Sequence, residues 1–140
     1  MSFDDKILKL IIEFNRLTRE KIIKWFVMPA NKYPSSLRGG ERLKGHIFTT
    51  KFEEKGFRLY GYQSKYYNSE TDSLEEGEYL RFELIDDDGI TEWDLSDNES
   101  AVSNLYQTVQ LQTSDIKNIT NSILDIIQTK YSQENRNIAL

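Results

Sequence analysis

The fold is decided by residues 79–95, which read YLRFELI, then DDDG, then ITEWDL. Apolar and polar side chains alternate on both sides of the acidic turn, and this period of two is typical of strands with one buried face. Placing Ile85 opposite Ile90 predicts an antiparallel hairpin whose core face carries Leu80, Phe82, Leu84, Thr91, Trp93 and Leu95. The other face would carry Tyr79, Arg81, Glu83, Glu92 and Asp94. In this register Arg81 lies opposite Asp94, and Glu83 lies opposite Glu92.

The acidic turn, Asp86-Asp87-Asp88-Gly89, superficially resembles a calcium-binding loop. An EF-hand needs oxygen ligands at alternate positions and a bidentate glutamate at its end, between two helices. Counting from Gly89 puts Leu84 and Leu95 at the first and last ligand positions, and strands flank the turn. The segment is therefore interpreted as a hairpin turn, and no metal site is expected.

A second hairpin is predicted upstream, over residues 45–67, with a four-residue connection at residues 53–56 that ends in glycine. Pairing Phe52 with Phe57 gives a core face of Phe48, Phe52, Phe57 and Leu59. The opposite face holds Ile47, Lys51, Arg58, Tyr60 and Tyr62, with Tyr66 further along. A bulge that shifted the register by one residue would exchange the two faces. The acidic residues 68–78 are predicted to form a mobile surface loop.

Helices are predicted on both sides of these strands. Ser2 is a suitable N-cap for a first helix that reaches about Val27 before Pro29. Its apolar stripe is wider than one core contact needs, so the helix is either clamped between other elements or meets a partner, for which a homodimer through this helix is one option. Ser96 and Glu99 form a capping box for a second helix. That helix has the apolar face Val102, Leu105, Tyr106 and Val109. A last helix, capped by Thr113 or Ser114, carries Ile116, Ile119, Ile123, Leu124, Ile126 and Ile127.

The sequence thus predicts an α+β fold. It consists of an N-terminal helix, a four-stranded antiparallel meander of two hairpins, and two C-terminal helices packed on one sheet face. Residues 1–131 are expected to form a single domain, and residues 132–140 a frayed tail.

Composition and charge narrow the class of protein. The chain has 140 residues, of which 29% are charged and 12% aromatic, and it has no cysteine. Its start is acidic, and no apolar run is long enough for a signal sequence or a membrane span, so we expect a cytoplasmic protein. Residues 1–58 hold 13 Lys/Arg against 7 Asp/Glu, whereas residues 59–140 hold 5 against 16. The two halves either neutralise each other in the fold or present charged surfaces to a partner.

Catalytic and cofactor motifs are not found. The single histidine, His46, has no Gly-x-Ser-x-Gly elbow to complete a triad, and the Glu83–Glu92 pair is expected to be a solvent-exposed contact. We therefore expect a protein that is not an enzyme and needs no cofactor. The glycine-rich basic loop at residues 29–45 lacks the spacing of a P-loop. Its basic residues are Lys32, Arg38, Arg42 and Lys44. The segment is therefore either an anion-binding loop or a solvated connector.

The strongest functional signal is the tyrosine-rich and arginine-rich face of the predicted sheet. Its candidate binding residues are Lys51, Arg58, Tyr60, Tyr62, Tyr66, Tyr79 and Arg81. Tyrosine and arginine are enriched where proteins bind proteins, so the hypothesis is a protein-binding module such as an immunity protein, an antitoxin-like inhibitor or an adaptor. The alternative is RNA or single-stranded DNA stacked on this face beside the basic loop, which the net charge of −5 disfavours. In a further alternative, a helix covers the face and the tyrosines are packing residues.

Overall fold

A computed structural model describes residues 1–29 and 32–132, which form five antiparallel strands and three α-helices. Their order is α1 (Phe3–Arg19), β1 (Phe26–Val27), β2 (Arg42–Phe52), β3 (Lys55–Asn68), β4 (Ser73–Ile85), β5 (Thr91–Asp94), α2 (Glu99–Thr113) and α3 (Ile116–Ile126). A π-helical turn, Ile127–Tyr131, follows α3 directly. The sheet is a meander in the order β1-β2-β3-β4-β5. The predicted α+β fold is confirmed with one strand more than expected; most of the predicted tail lies outside the described residues.

The core lies between one face of the sheet and helices α1 and α2. Phe14 of α1 packs edge-on against Phe57 and Phe82, with ring centroids 4.6 Å and 6.0 Å away. Val102, Leu105 and Val109 of α2 are buried in the same cluster, as predicted. The predicted core residues Phe48, Phe57, Leu59 and Phe82 are all buried. Trp93 is the exception, because it lies at the sheet edge with 55% of its surface exposed. Among the described residues Phe3, at the start of α1, is the one aromatic ring that it contacts.

The first helix is shorter than predicted, because it ends at Arg19 and not near Val27. Lys21 adopts a left-handed conformation (φ 63°), and the N–H of Ile22 donates to the carbonyl oxygen of Leu17. This is the Schellman geometry, in which glycine usually occupies the left-handed position. Because that residue is lysine here, the sequence does not indicate that the helix ends at this point. The released segment forms β1, which pairs Phe26 with Thr49 at the sheet edge.

The β2–β3 connection is a two-residue turn, Glu53-Glu54, and the four-residue connection predicted there is wrong. Both glutamates have positive φ (50° and 66°), and Phe52 pairs with Lys55. The register therefore differs by two residues from the predicted one. Since side chains alternate with a period of two, the core face is unchanged.

Replacing this turn by Glu53→Asn/Glu54→Gly should stabilise the protein by about 1 kcal/mol, because Asn-Gly adopts the left-handed conformation at low cost. Urea denaturation followed by circular dichroism measures the change. The control is Lys55→Gly, which places glycine in a strand and should destabilise by about 0.5–1 kcal/mol. A destabilised turn variant would contradict the assigned turn geometry.

The predicted mobile loop at residues 68–78 is instead mostly strand. β3 and β4 pair from Gly56–Ile85 out to Asn68–Ser73, and only residues 69–72 form the connecting turn. The acidic side chains here do not prevent pairing, because Arg42 and Lys44 of β2 form ion pairs with Glu76 and Glu78. We call residues 62–79, the outer part of this hairpin, the arm.

The β4–β5 hairpin is confirmed, but its register is not. An irregularity between Leu84 and Ile85 places Glu83 opposite Asp94 and turns the Thr91 hydroxyl toward Glu83. The predicted Arg81–Asp94 and Glu83–Glu92 pairs are therefore wrong, and so is the position of Thr91 on the core face. Asp86–Gly89 forms the expected turn, with Asp86 Oδ1 accepting the Ile90 N–H at 2.8 Å.

Two details of the C-terminal helices also differ from the prediction. Asn98, and not Ser96, caps α2 by accepting the Ala101 N–H, while the Ser96 hydroxyl accepts the N–H of Phe82. α3 buries none of its side chains, so its predicted packing on the sheet is wrong. No helix within the described residues is long and apolar enough to cross a membrane.

Candidate interaction surface

A loop, and not a helix, covers half of the tyrosine- and arginine-rich sheet face. Residues 32–41, which we call the covering loop, connect β1 to β2 and run across Arg58, Tyr60, Arg81 and Glu83. All four side chains are buried beneath it. Ser35 extends the contact by donating a hydrogen bond to the carbonyl oxygen of Gly89 at 3.3 Å.

Arg58 and Glu83 form an ion pair whose side chains are each only 1% exposed. The Arg58 Nε donates to Glu83 Oε1 at 3.0 Å. Its other nitrogens donate to the Gly89 carbonyl oxygen at 2.8 Å and to Thr91 Oγ1 at 3.0 Å. Glu83 in turn accepts from the hydroxyls of Ser36 and Thr91 at 2.8 Å and 2.6 Å. Each buried side-chain nitrogen and oxygen of Arg58 and Glu83 has a hydrogen-bond partner. These hydrogen bonds offset the cost of burying two charges.

Arg81 and Glu41 form the second ion pair and fasten the end of the covering loop. The guanidinium donates to both carboxylate oxygens of Glu41, at 3.1 Å and 2.9 Å. It also donates to the Tyr60 hydroxyl at 2.7 Å and to the Ser36 carbonyl oxygen at 3.1 Å. Burial raises the pKa of Tyr60, so this phenol stays protonated.

The sequence analysis missed Ser36 and Glu41, which hold the covering loop on the sheet. Ser36 contacts Tyr60, Glu83 and Arg81. Glu41 is the one acidic residue in an otherwise basic segment, and this isolation is the signal that could have identified it as a partner of a buried arginine. Nothing local in the sequence indicates which arginine it reaches, because Arg81 lies on β4 and is 40 residues away.

Replacing Glu41 by glutamine should lower stability by about 1–3 kcal/mol near pH 7, because hydrogen bonds to a charged group are lost. The hydrogen bonds from Arg81 hold the pKa of the Glu41 carboxyl below its usual range. A carboxyl with a lowered pKa stabilises the folded state above its unfolded pKa, and this contribution is lost as the pH falls through the folded pKa. The difference between wild type and Glu41→Gln should therefore shrink below about pH 4. Urea denaturation across this range measures it; a difference independent of pH would contradict the assignment.

Beyond the covering loop, two exposed tyrosines and one half-buried tyrosine of the arm share one face. Tyr62 stacks on Tyr79 across the strands, with ring centroids 5.5 Å apart, and the Arg81 guanidinium carbon lies 4.1 Å from the Tyr62 ring centroid. Tyr66 and Tyr79 are 43% and 39% exposed. Gly77 leaves room for the Tyr79 ring, since an added Cβ would lie 2.6 Å from its hydroxyl oxygen. We call Tyr62, Tyr66 and Tyr79 the tyrosine surface.

Hydrogen bonding fixes the outer end of this surface. The Tyr66 hydroxyl donates to Glu75 Oε2 at 3.0 Å, and Asn68 donates to the same oxygen at 3.1 Å. Hydrogen bonds from Asn68, Tyr66 and Thr71 lower the pKa of Glu75, so the carboxylate stays ionised at neutral pH. The arm as a whole is acidic, with Lys65 as its only basic residue against five Asp/Glu.

The predicted binding residues therefore fall into two groups. Arg58, Tyr60 and Arg81 lie under the covering loop, whereas Tyr62, Tyr66 and Tyr79 lie on the same face of the arm, with Tyr62 and Tyr79 stacked. Lys51 is exposed at the opposite end, 4.0 Å from Asp87. The four basic residues of the predicted anion-binding loop do not form one site either. Arg42 and Lys44 pair with carboxylates of β4, and Lys32 and Arg38 are exposed.

The residues considered for catalysis are also apart. Glu83 is buried against Arg58, whereas Glu92 is exposed. His46 lies exposed beside Phe48, and no group of three or more His, Asp or Glu able to hold a metal occurs among residues 1–29 and 32–132. Comparisons of the chain with protein-family models, with curated proteins and with solved structures found no match.

Proposed function

We propose that the chain is a non-catalytic protein-binding module that recognises its partner through the tyrosine surface of the arm. The observation that carries the proposal is the arrangement of three tyrosines on one face of the arm: Tyr79 is exposed and stacks on the half-buried Tyr62, and the exposed Tyr66 lies further out on the same face. Tyrosines supply a large contact area and a polar tip at low cost in side-chain entropy, and they are enriched among residues that dominate binding energy.

The surface is also held in place before any partner arrives. Tyr62 lies between the Arg81 guanidinium and the Tyr79 ring, and Arg81 is fixed by both oxygens of Glu41. Side chains that are already ordered lose less freedom on binding, which leaves more of the contact energy as affinity. The buried network therefore supports the binding surface without touching the partner.

The charge around the surface indicates the kind of partner. Glu75 lies beside Tyr66, and the arm carries five acidic residues. An acidic rim favours a protein with a basic face, through faster association and better specificity. An immunity-type or antitoxin-like inhibitor of a basic protein, or an adaptor, fits this description. With no cysteine in the chain, a reducing compartment such as the cytoplasm suits it.

Affinity purification with the full chain as bait, from cells of its own source, tests the proposal. Wild type and Tyr67→Ala should retain the same partner, and Tyr66→Ala/Tyr79→Ala should lose it. Tyr67 is the matched control, because it neighbours Tyr66 in sequence and its side chain points to the opposite face of the strand. A partner retained equally by all three proteins would contradict the proposal.

The nucleic-acid alternative has a separate test. Phosphate binding by cations depends steeply on salt concentration, so mixed RNA and single-stranded DNA oligonucleotides are titrated at low and high salt. We expect no binding in the micromolar range. Micromolar, strongly salt-dependent binding that Tyr66→Ala/Tyr79→Ala abolishes would replace the protein partner by a nucleic acid.

A further inference from the structure

Helix α3 presents an apolar face that no other described residue covers. The apolar side chains of α3 and of Ile127 just after it are between 45% and 56% exposed. Those of α3 are Ile116, Ile119, Ile123, Leu124 and Ile126. At 100° per residue they occupy one side of the helix, while Lys117, Asn121 and Asp125 lie on the other side. A helix of this length is marginal on its own in water, so its apolar face needs a partner surface.

The spacing of the isoleucines favours a second helix with the same pattern as the partner of α3. Ile116, Ile119, Ile123 and Ile126 follow one another at intervals of three, four and three residues. This is the a/d pattern of a coiled-coil seam, in which the side chains of one helix fit between those of a second helix with the same pattern. The positions that flank the seam, Thr120 and Ser122, carry no charge, so two copies would meet without repulsion.

We propose that α3 binds α3 of a second copy of this chain and makes the protein a homodimer. Complete coverage of these apolar side chains on both copies would bury about 1,200 Å² at most, which is at the lower end of stable interfaces. Leu111 and Phe26 extend the apolar surface at the start of the helix, beside a groove of about 440 Å³. A membrane surface fits less well, because α3 and its π-helical turn carry only Lys117 and Lys130 as basic residues.

The proposed interface does not include the tyrosine surface, because α3 follows α2 whereas the arm consists of the outer parts of β3 and β4. The interface is also distinct from the homodimer through α1 that the sequence suggests. On α1, the predicted stripe is mostly taken up by the core, because Ile11 and Phe14 are buried and Ile7, Leu10 and Leu17 pack against them.

Sedimentation of the full chain tests the proposal. Wild type should sediment as a dimer of the 16.5 kDa chain at high micromolar concentration. Ile119→Asp/Ile123→Asp should sediment as a monomer with the main fold intact, since α3 buries no side chain. The control Asn121→Asp/Gln128→Glu adds the same charge to the polar face and should remain a dimer. A wild-type monomer, or a dimer that survives Ile119→Asp/Ile123→Asp, would overturn the proposal.

Disulfide trapping provides a second measurement that does not depend on the aspartate variant. The chain has no cysteine, so Ile123→Cys introduces a single thiol on the seam. Under mild oxidation Ile123→Cys should form a covalent dimer, and Gln128→Cys on the polar face should stay largely monomeric. Equal yields from both positions would show random collision and would refute pairing through the seam.

Discussion

Arg58→Met is expected to lower the free energy of unfolding by about 3–5 kcal/mol, because it leaves a buried carboxylate without its cation. Glu83 is 1% exposed and would keep only hydroxyl donors, from Ser36 and Thr91. The methionine side chain occupies a similar volume, so a packing defect accounts for little of the loss. The β4–β5 turn would also lose the hydrogen bond from Arg58 to the Gly89 carbonyl oxygen.

Urea denaturation of matched variants measures this effect. Arg58→Met/Glu83→Leu removes both charges and should recover most of the stability, since an apolar pair can replace a buried ion pair at little cost. Arg16→Met is the exposed control: it breaks pairs with Glu13 and Glu20 on the surface of α1 and should cost far less stability than Arg58→Met. A single Arg58→Met loss as small as the Arg16→Met loss would contradict a buried pair.

Tyr79→Ala is expected to weaken the partner complex by about 2–4 kcal/mol, or roughly 30-fold to 1,000-fold in Kd. Its ring is the centre of the tyrosine surface, stacked on Tyr62 and seated over Gly77. Removing the ring also frees Tyr62, so the remaining surface is both smaller and less ordered. Stability should change little, because Tyr79 is exposed and lies on the sheet face opposite the core.

Calorimetric titration of the purified partner measures the loss in affinity. Tyr67→Ala removes the same ring from the other face of the arm and should change the Kd by less than about threefold. Gly77→Ala keeps all tyrosines but displaces the Tyr79 hydroxyl, so it should give an intermediate loss. A Tyr79→Ala complex as tight as the Tyr67→Ala complex would remove the tyrosine surface from the binding site.

The core face could be predicted from alternation alone. Phe48, Phe57, Leu59 and Phe82 are buried as expected, although the β2–β3 register is two residues away from the predicted one. The period of side-chain alternation explains this tolerance, because an error of two residues leaves each side chain on its face. The one-residue irregularity at Leu84/Ile85 had the opposite effect and moved Thr91 to the other face.

The ends of elements could not be predicted where an ordinary residue adopts a left-handed conformation. Lys21 ends α1, and Glu53 and Glu54 form the β2–β3 turn, all with positive φ. Glycine and asparagine are the usual residues there, so rules based on composition place these boundaries elsewhere. At the end of α1, contacts with α2 stabilise the chain: Gln112 donates to the carbonyl oxygens of Thr18 and Ile23 and accepts the Trp25 N–H.

The covering loop could not be predicted because its contacts are distant in sequence. Ser36 reaches Glu83 and Glu41 reaches Arg81, each across 40 residues or more. The sequence identified the tyrosine- and arginine-rich face as the place to examine, but only the three-dimensional pairing separates buried Tyr60 and Arg81 from accessible Tyr66 and Tyr79.

Site-specific photo-crosslinking tests the proposed binding surface most directly. A benzophenone amino acid placed at position 66 lies on the tyrosine surface, and one at position 33 or 93 lies on exposed side chains elsewhere. With the partner present, position 66 should give a covalent adduct of the two proteins, and positions 33 and 93 should not. An adduct from position 33 or 93 with none from position 66 would contradict binding through the arm.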